Sequence, residues 1–157
     1  MDTDDDSARV KFPPPFAFLG TLLAGIALAR FLGQPELPLG HHFERGLGSL
    51  AIVAGVGIML SAVGLFRRAG TDPKPWKTAT ALVTDGVYRW TRNPMYLGMV
   101  LTYAGIAIWL DSLVTLLLLI PLTIVIQKEV IEREEAYMAA KFGERYLAYK
   151  AQVRRWI

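Results

Sequence analysis

A chain of 157 residues with no Cys has room for one domain, and it cannot form a disulfide, a thiolate metal site or a cysteine nucleophile. The net charge of +3 is small, and the 17 basic residues flank apolar runs instead of forming one stripe, which argues against a nucleic-acid partner. The residues are 53% hydrophobic and bunched into long runs that do not alternate with polar ones, the pattern of a membrane protein.

Residues 1–15 read as a polar tail: four Asp within the first eleven positions, solvated, then the stiff Pro13-Pro14-Pro15. The tail lacks the basic start and small-residue cleavage site of a signal peptide. The first apolar run, 16–32, is at the short end for a span, with Arg30 able to snorkel at its edge. A connector over 33–44 holds both histidines, His41 and His42. Adjacent side chains do not face each other and no third ligand lies nearby in sequence, so no metal site is expected there. Residues 46–66 make the clearest span, in which Gly48, Gly55, Gly57 and Gly64 permit close helix packing.

A soluble connector over 67–94, with Pro73 and Pro75, leads to two further apolar runs, 95–110 and 113–126, separated only by Asp111-Ser112. They read as a helical hairpin with short arms, and Pro121 is placed to kink the second. A re-entrant hairpin is the alternative to two full spans. The expected fold is therefore all-α: a polytopic integral membrane protein with four transmembrane helices in one domain. Residues 127–157 follow as a C-terminal helical segment, with Gly143 placed to end its first helix. Thirteen of the 17 basic residues lie between the second and third runs or after the fourth. The positive-inside rule then places both termini and the 67–94 connector in the cytoplasm.

Two polar elements stand out against this background. In the first, Asp85-Gly86 signals a turn and Asn93-Pro94 a helix start, because Asn caps and Pro fits the first helical position. Tyr88, Arg92, Asn93 and Tyr96 are thereby gathered at the positive end of a membrane helix, where Arg92 and free backbone N–H groups suit an anion. A belt that only anchors the helix end is the plainer reading.

In the second element, helical spacing pairs Glu129 with Arg133 and Glu132 with Lys128, and leaves Glu134 and Glu135 without a local cation. Glu134 also interrupts an apolar stripe of Val130, Ile131, Met138 and Phe142. A carboxylate so placed needs a distant partner, since burying it unpaired costs several kcal/mol. Two partners stay open: a structural bridge to Arg92, or a cationic ligand.

The pattern Leu82-Val83-x-x-Gly86-x-Tyr88-x-x-x-Arg92-Asn93-Pro94-x-Tyr96-x-Gly98 resembles the signature of the isoprenylcysteine carboxyl methyltransferases and related phospholipid methyltransferases. Glu134-Glu135-x-x-Met138-x-x-x-Phe142-Gly143-x-x-Tyr146-x-x-Tyr149-x-x-x-Val153-x-Arg155 resembles their second motif, and together the two cover 82–157. The resemblance implies a membrane enzyme that uses S-adenosylmethionine without a dinucleotide-binding fold, in keeping with the absence of G-x-G-x-x-G. By position it assigns the cofactor pocket to Thr80, Ala81, Leu82, Val83, Tyr88, Arg92, Asn93, Pro94, Met95, Tyr96, Glu134 and Glu135. Arg92 and the helix start would hold the cofactor's carboxylate and Glu134 its ammonium, the pair forming the catalytic centre.

Two positions depart from the pattern. Many members have His in place of Asn93. The prenylcysteine enzymes carry a substrate-binding Arg where this chain has Val130, leaving only Gln127 on that face for a polar contact. The expected function is methyl transfer from S-adenosylmethionine to a lipid-like or isoprenoid acceptor from the bilayer, at the cytoplasmic membrane face. A carboxylate, amine, thiol or hydroxyl could be the group methylated. An NADPH-dependent membrane reductase and a non-catalytic scaffold in which Arg92 and Glu134 bridge each other are the alternatives.

Overall fold

The computed structural model describes residues 4–33, 36–38 and 40–157. Within these residues the chain is helical and has no strand: α1 (Pro14–Phe31), α2 (His41–Arg68), α3 (Pro94–Trp109), α4 (Leu113–Ile126), α5 (Glu132–Phe142) and α6 (Glu144–Gln152). A 3-10 turn (Gly86–Arg89) precedes α3, and a π-helical turn (Gln127–Ile131) joins α4 to α5 without a break. Three helices are long and apolar enough to cross a membrane, namely α1, α2 and the continuous Leu113–Phe142, while α3 is a shorter apolar helix. The protein is thus an all-α polytopic membrane protein.

The boundaries differ from the sequence expectation in two places. α2 starts at His41, inside the segment read as a connector. The last apolar run is not an isolated short arm, because the π turn carries its helix onward to Phe142. Gly143 ends that helix at φ 53°, a left-handed conformation that suits Gly.

Two packed units divide the chain. One comprises Phe12–Gly57 and Leu97–Val125. Here glycines let helices touch backbone to backbone. A Cβ on Gly48 would stand 2.7 Å from the Gly105 carbonyl, one on Gly105 2.7 Å from the Gly48 carbonyl, and one on Gly55 2.6 Å from the Gly98 carbonyl. Of the four glycines expected at helix contacts, Gly57 and Gly64 instead face open space. The difference follows from helical phase, since only one face of α2 meets a neighbour. Tyr103 stacks edge-on against Phe18 at 6.4 Å, and its hydroxyl donates to the Thr115 carbonyl at 3.0 Å. Outward faces are apolar, with Phe16, Leu23, Leu50, Val53 and Ile120 all exposed, as lipid contact requires.

The other unit comprises Met1–Lys11, Ile58–Tyr96 and Ile126–Ile157. The acidic tail expected in solvent is instead part of it. The Asp4 carboxylate accepts from the Thr78 amide at 3.0 Å and from Lys77 Nζ at 3.1 Å, Val10 is buried, and the Asp6 carbonyl accepts from Tyr137 at 3.1 Å. The tail finds these partners 73–131 residues along the chain, pairings invisible to local sequence reading.

Candidate active site

The chain after α6 is stitched to the start of α3. The Arg92 amide donates to the Arg154 carbonyl at 2.9 Å, while the Thr91 hydroxyl and the Asn93 side-chain amide both donate to the Arg155 carbonyl, at 3.0 and 2.9 Å. Asn93 stands before α3 as expected, with Pro94 its first residue. Tyr149 donates to the Tyr88 carbonyl at 2.7 Å, which fixes α6 against the 3-10 turn. Phe66, from the last turns of α2, meets the Tyr88 ring at 5.6 Å.

These contacts line an open-mouthed cavity with about 790 Å³ of atom-free space, the solvent at its mouth included. Leu82, Val83, Tyr88, Arg92, Asn93, Pro94, Met95, Tyr96, Glu134 and Glu135 line it, whereas Thr80, Ala81, Gln127 and Val130 do not. Thr80 is turned to Thr71 and the Gly70 carbonyl, at 2.9 and 3.0 Å. Val130 is buried in packing, and Gln127 accepts from Trp156 Nε1 at 3.0 Å. Sequence reading missed the aromatic wall of Phe66, Tyr137, Tyr146 and Tyr149, together with Lys74 and Ala8. The tyrosines of the second motif were a signal for part of it.

The two adjacent glutamates have opposite surroundings. Glu135 is saturated. Arg155 grips it with Nε and an amino group at 2.9 Å each, Arg92 donates to it at 2.9 Å, and Lys150 stands 3.4 Å away. Arg92 therefore bridges Glu135, not Glu134. The rest of its guanidinium serves the Lys150 and Val153 carbonyls at 2.9 and 2.8 Å, apart from Nε, which is buried with no hydrogen-bond partner among the described residues.

Glu134 has the Tyr96 hydroxyl as donor at 3.0 Å and, among the described residues, no cation within 4.0 Å. The pairs Lys128–Glu132 and Arg133–Glu129, at 3.1 Å each, form as helical spacing dictates. Burial pushes the Tyr88 phenol far above its usual range, with the Glu134 charge adding to it. Burial first, then the Glu135 charge, brings Tyr146 to about 12. Both phenols stay protonated at neutral pH, so they are available as hydrogen-bond donors and not as bases.

The arrangement suits a zwitterionic, partly aromatic ligand. Glu134 offers an unpaired carboxylate to an ammonium group. The start of α3 and the orphaned Arg92 Nε offer donors to an anion, and the tyrosines offer faces to a ring or an onium cation.

Comparisons with known proteins place the chain in a family. A protein of Haemophilus influenzae described only as uncharacterized is 40% identical over 63 residues, which is 40% of this chain and all of that protein. The protein-S-isoprenylcysteine O-methyltransferase of Schizosaccharomyces pombe is 35% identical over 72 residues, 46% of this chain, and the chain covers 30% of that protein's length. The phospholipid methyltransferase family matches residues 43–145, about two thirds of the chain. Arg92, Tyr96, Glu134 and Glu135 all fall within that match, and the chain belongs to the phospholipid methyltransferase family.

Proposed function

We propose that the protein transfers a methyl group from S-adenosylmethionine to an apolar acceptor drawn from the bilayer, at the cytoplasmic membrane face. The observation that carries the reading is Glu134: a carboxylate on the wall of an aromatic-lined cavity, held by one phenol and unmatched by any cation among the described residues. The cofactor would supply a sulfonium-bound methyl group, already activated for transfer. Glu134 would bind the ammonium, and the amides at the start of α3 with Arg92 Nε would bind the carboxylate. Tyr88 and Tyr96 would fix the ring system and exclude water. The protein's contribution is then positioning, with donor and acceptor held in line.

Among the described residues no His lines the cavity and its buried phenols keep their protons, which favours an acceptor that arrives already nucleophilic, as a carboxylate does at neutral pH. The S. pombe relative's name points to a prenylated cysteine. Against that acceptor stands Val130, buried in packing where the prenylcysteine enzymes carry a substrate-binding Arg. Prenylcysteine analogues are accordingly expected to be poor substrates, and rapid methylation of one would return the acceptor to that class.

Calorimetric titration of the detergent-solubilised protein tests the cofactor assignment. S-adenosylmethionine and its demethylated product should bind, and NADPH should not. Glu134→Gln removes one charge-assisted hydrogen bond and should weaken binding by ~1.5–3 kcal/mol, roughly ten- to a hundredfold. Unchanged affinity in that variant would remove Glu134 from the site, and preferred binding of NADPH would favour the reductase reading.

A further inference from the structure

A second cluster of ligating side chains lies in the unit formed by Phe12–Gly57 and Leu97–Val125. His41 and Glu44 are three residues apart in the first turn of α2 and share one helix face. Asp111 joins them from the turn between α3 and α4, where it adopts a φ of 52°. Its Oδ1 accepts the Leu37 amide at 2.6 Å, which fixes the carboxylate. Glu44 Oε2 then stands 3.3 Å, and Asp111 Oδ2 3.8 Å, from His41 Nδ1. The connector supplies His41 and Glu44 from one helix face, and the fold brings Asp111 to them.

Glu44 is the residue that asks for a ligand. It is only 1% exposed, and its second oxygen, Oε1, is buried with no hydrogen-bond partner among the described residues. A carboxylate withdrawn from water is strongly disfavoured without a cation or a full set of donors. Arg45, next in sequence, does not supply one, because its guanidinium lies over the Trp109 ring, 5.9 Å from the centroid. His41 Nδ1 can carry one proton, and it faces two carboxylates.

The His41–Glu44 and His41–Asp111 spacings, 3.3 and 3.8 Å, are close to those of a small metal ion's donors, and all three ligand atoms lie within 4.8 Å of one another. Bonds of about 2.0–2.2 Å around a tetrahedral centre put ligand atoms roughly 3.3–3.6 Å apart. We propose that His41 Nδ1, Glu44 and Asp111 bind a divalent transition-metal ion of the Zn²⁺ class. One imidazole with two carboxylates is a borderline donor set that suits Zn²⁺, whereas Ca²⁺ takes six or more oxygens. The ion replaces the His41 proton, partners the Glu44 carboxylate and ties the start of α2 to the α3–α4 turn. Water completes the coordination on the open side, where the His41 side chain is 76% exposed.

Untagged full-length protein in detergent, stripped with chelator, is titrated with zinc chloride and followed by calorimetry and thermal unfolding. One Zn²⁺ binds per chain and raises the unfolding temperature as its concentration increases, while Ca²⁺ does neither. His41→Gln, at an exposed position whose change leaves folding intact, weakens Zn²⁺ binding by at least about tenfold, since even residues behind a ligand are worth roughly that much. Asp111→Asn does the same, and His42→Gln, outside the cluster, leaves binding unchanged. Glu44→Gln removes the unpartnered charge and abolishes the Zn²⁺-dependent shift. The proposal is overturned if no saturable binding occurs, or if binding survives both His41→Gln and Asp111→Asn.

Discussion

Glu134 and Glu135 occupy adjacent positions on one helix and do different things because the rest of the chain treats them differently. Helical spacing identified both as lacking a local cation, but it could not tell which would find a distant one. Arg92, Lys150 and Arg155 all converge on Glu135, which leaves Glu134 with the Tyr96 hydroxyl. Removing Glu135 therefore strands buried Arg92, and Glu135→Ala should cost ~3–5 kcal/mol of stability in chemical or thermal unfolding. A loss below about 1 kcal/mol would mean that this network is not structural. Tyr96→Phe deletes the donor to Glu134 and leaves the ring in place. Stability should fall by about 0.5–1.5 kcal/mol or less. Affinity for S-adenosylmethionine should change more than stability, because the phenol orients the carboxylate.

At the scale of elements, the contact between α2 and α3 in the first-described unit depends on two glycines set against each other's carbonyls. Gly105→Ala would bring a methyl group 2.7 Å from the Gly48 carbonyl and 2.8 Å from the Ile52 amide, both rigid backbone atoms. The helices must separate, at a cost of roughly 1–3 kcal/mol. Gly57→Ala meets nothing within 4 Å and should be neutral or slightly stabilising, through helix propensity. Equal thermal shifts in the two variants would contradict this packing. The N-terminal segment is held differently, by charge. The Thr78 amide first and Lys77 next keep the Asp4 carboxyl below its ordinary 3.8. That attachment contributes once pH exceeds the unfolded-state value and is lost as pH falls through the lower folded value. Protection of residues 4–10 from hydrogen exchange, taken relative to the intrinsic rate at each pH, should therefore be high at pH 7 and lost as pH falls below the lowered folded value, and Asp4→Asn should remove it at pH 7.

For the whole molecule, the expected orientation rests on charge. Basic residues concentrate in 67–94 and after 126, so those segments should face the cytoplasm. The natural absence of Cys makes the test clean. Asp85→Cys should react with an impermeant thiol reagent in inverted vesicles and resist it in intact cells, while a Cys at His42 should show the reverse. Labelling of Asp85→Cys from outside would refute both the orientation and access of a cytosolic cofactor to the cavity.

Much of this protein was legible in its sequence, for physical reasons that act locally. Long apolar runs can hide their backbone polar groups only as helices, so the all-α membrane fold followed from hydropathy alone. Asn93-Pro94 and Gly143 marked helix ends because capping and left-handed backbone are properties of single residues. The two motifs carried the family, and most of the cavity wall with it. What the tertiary structure alone decided are the long-range pairings of charge. Arg155 reaches Glu135 from 20 residues away, Asp4 reaches Thr78 from 74, and Asp111 comes to His41 and Glu44 across two helices. A buried charge takes whichever partner the folded backbone brings within about 4 Å. Neither period nor spacing along the chain encodes that distance.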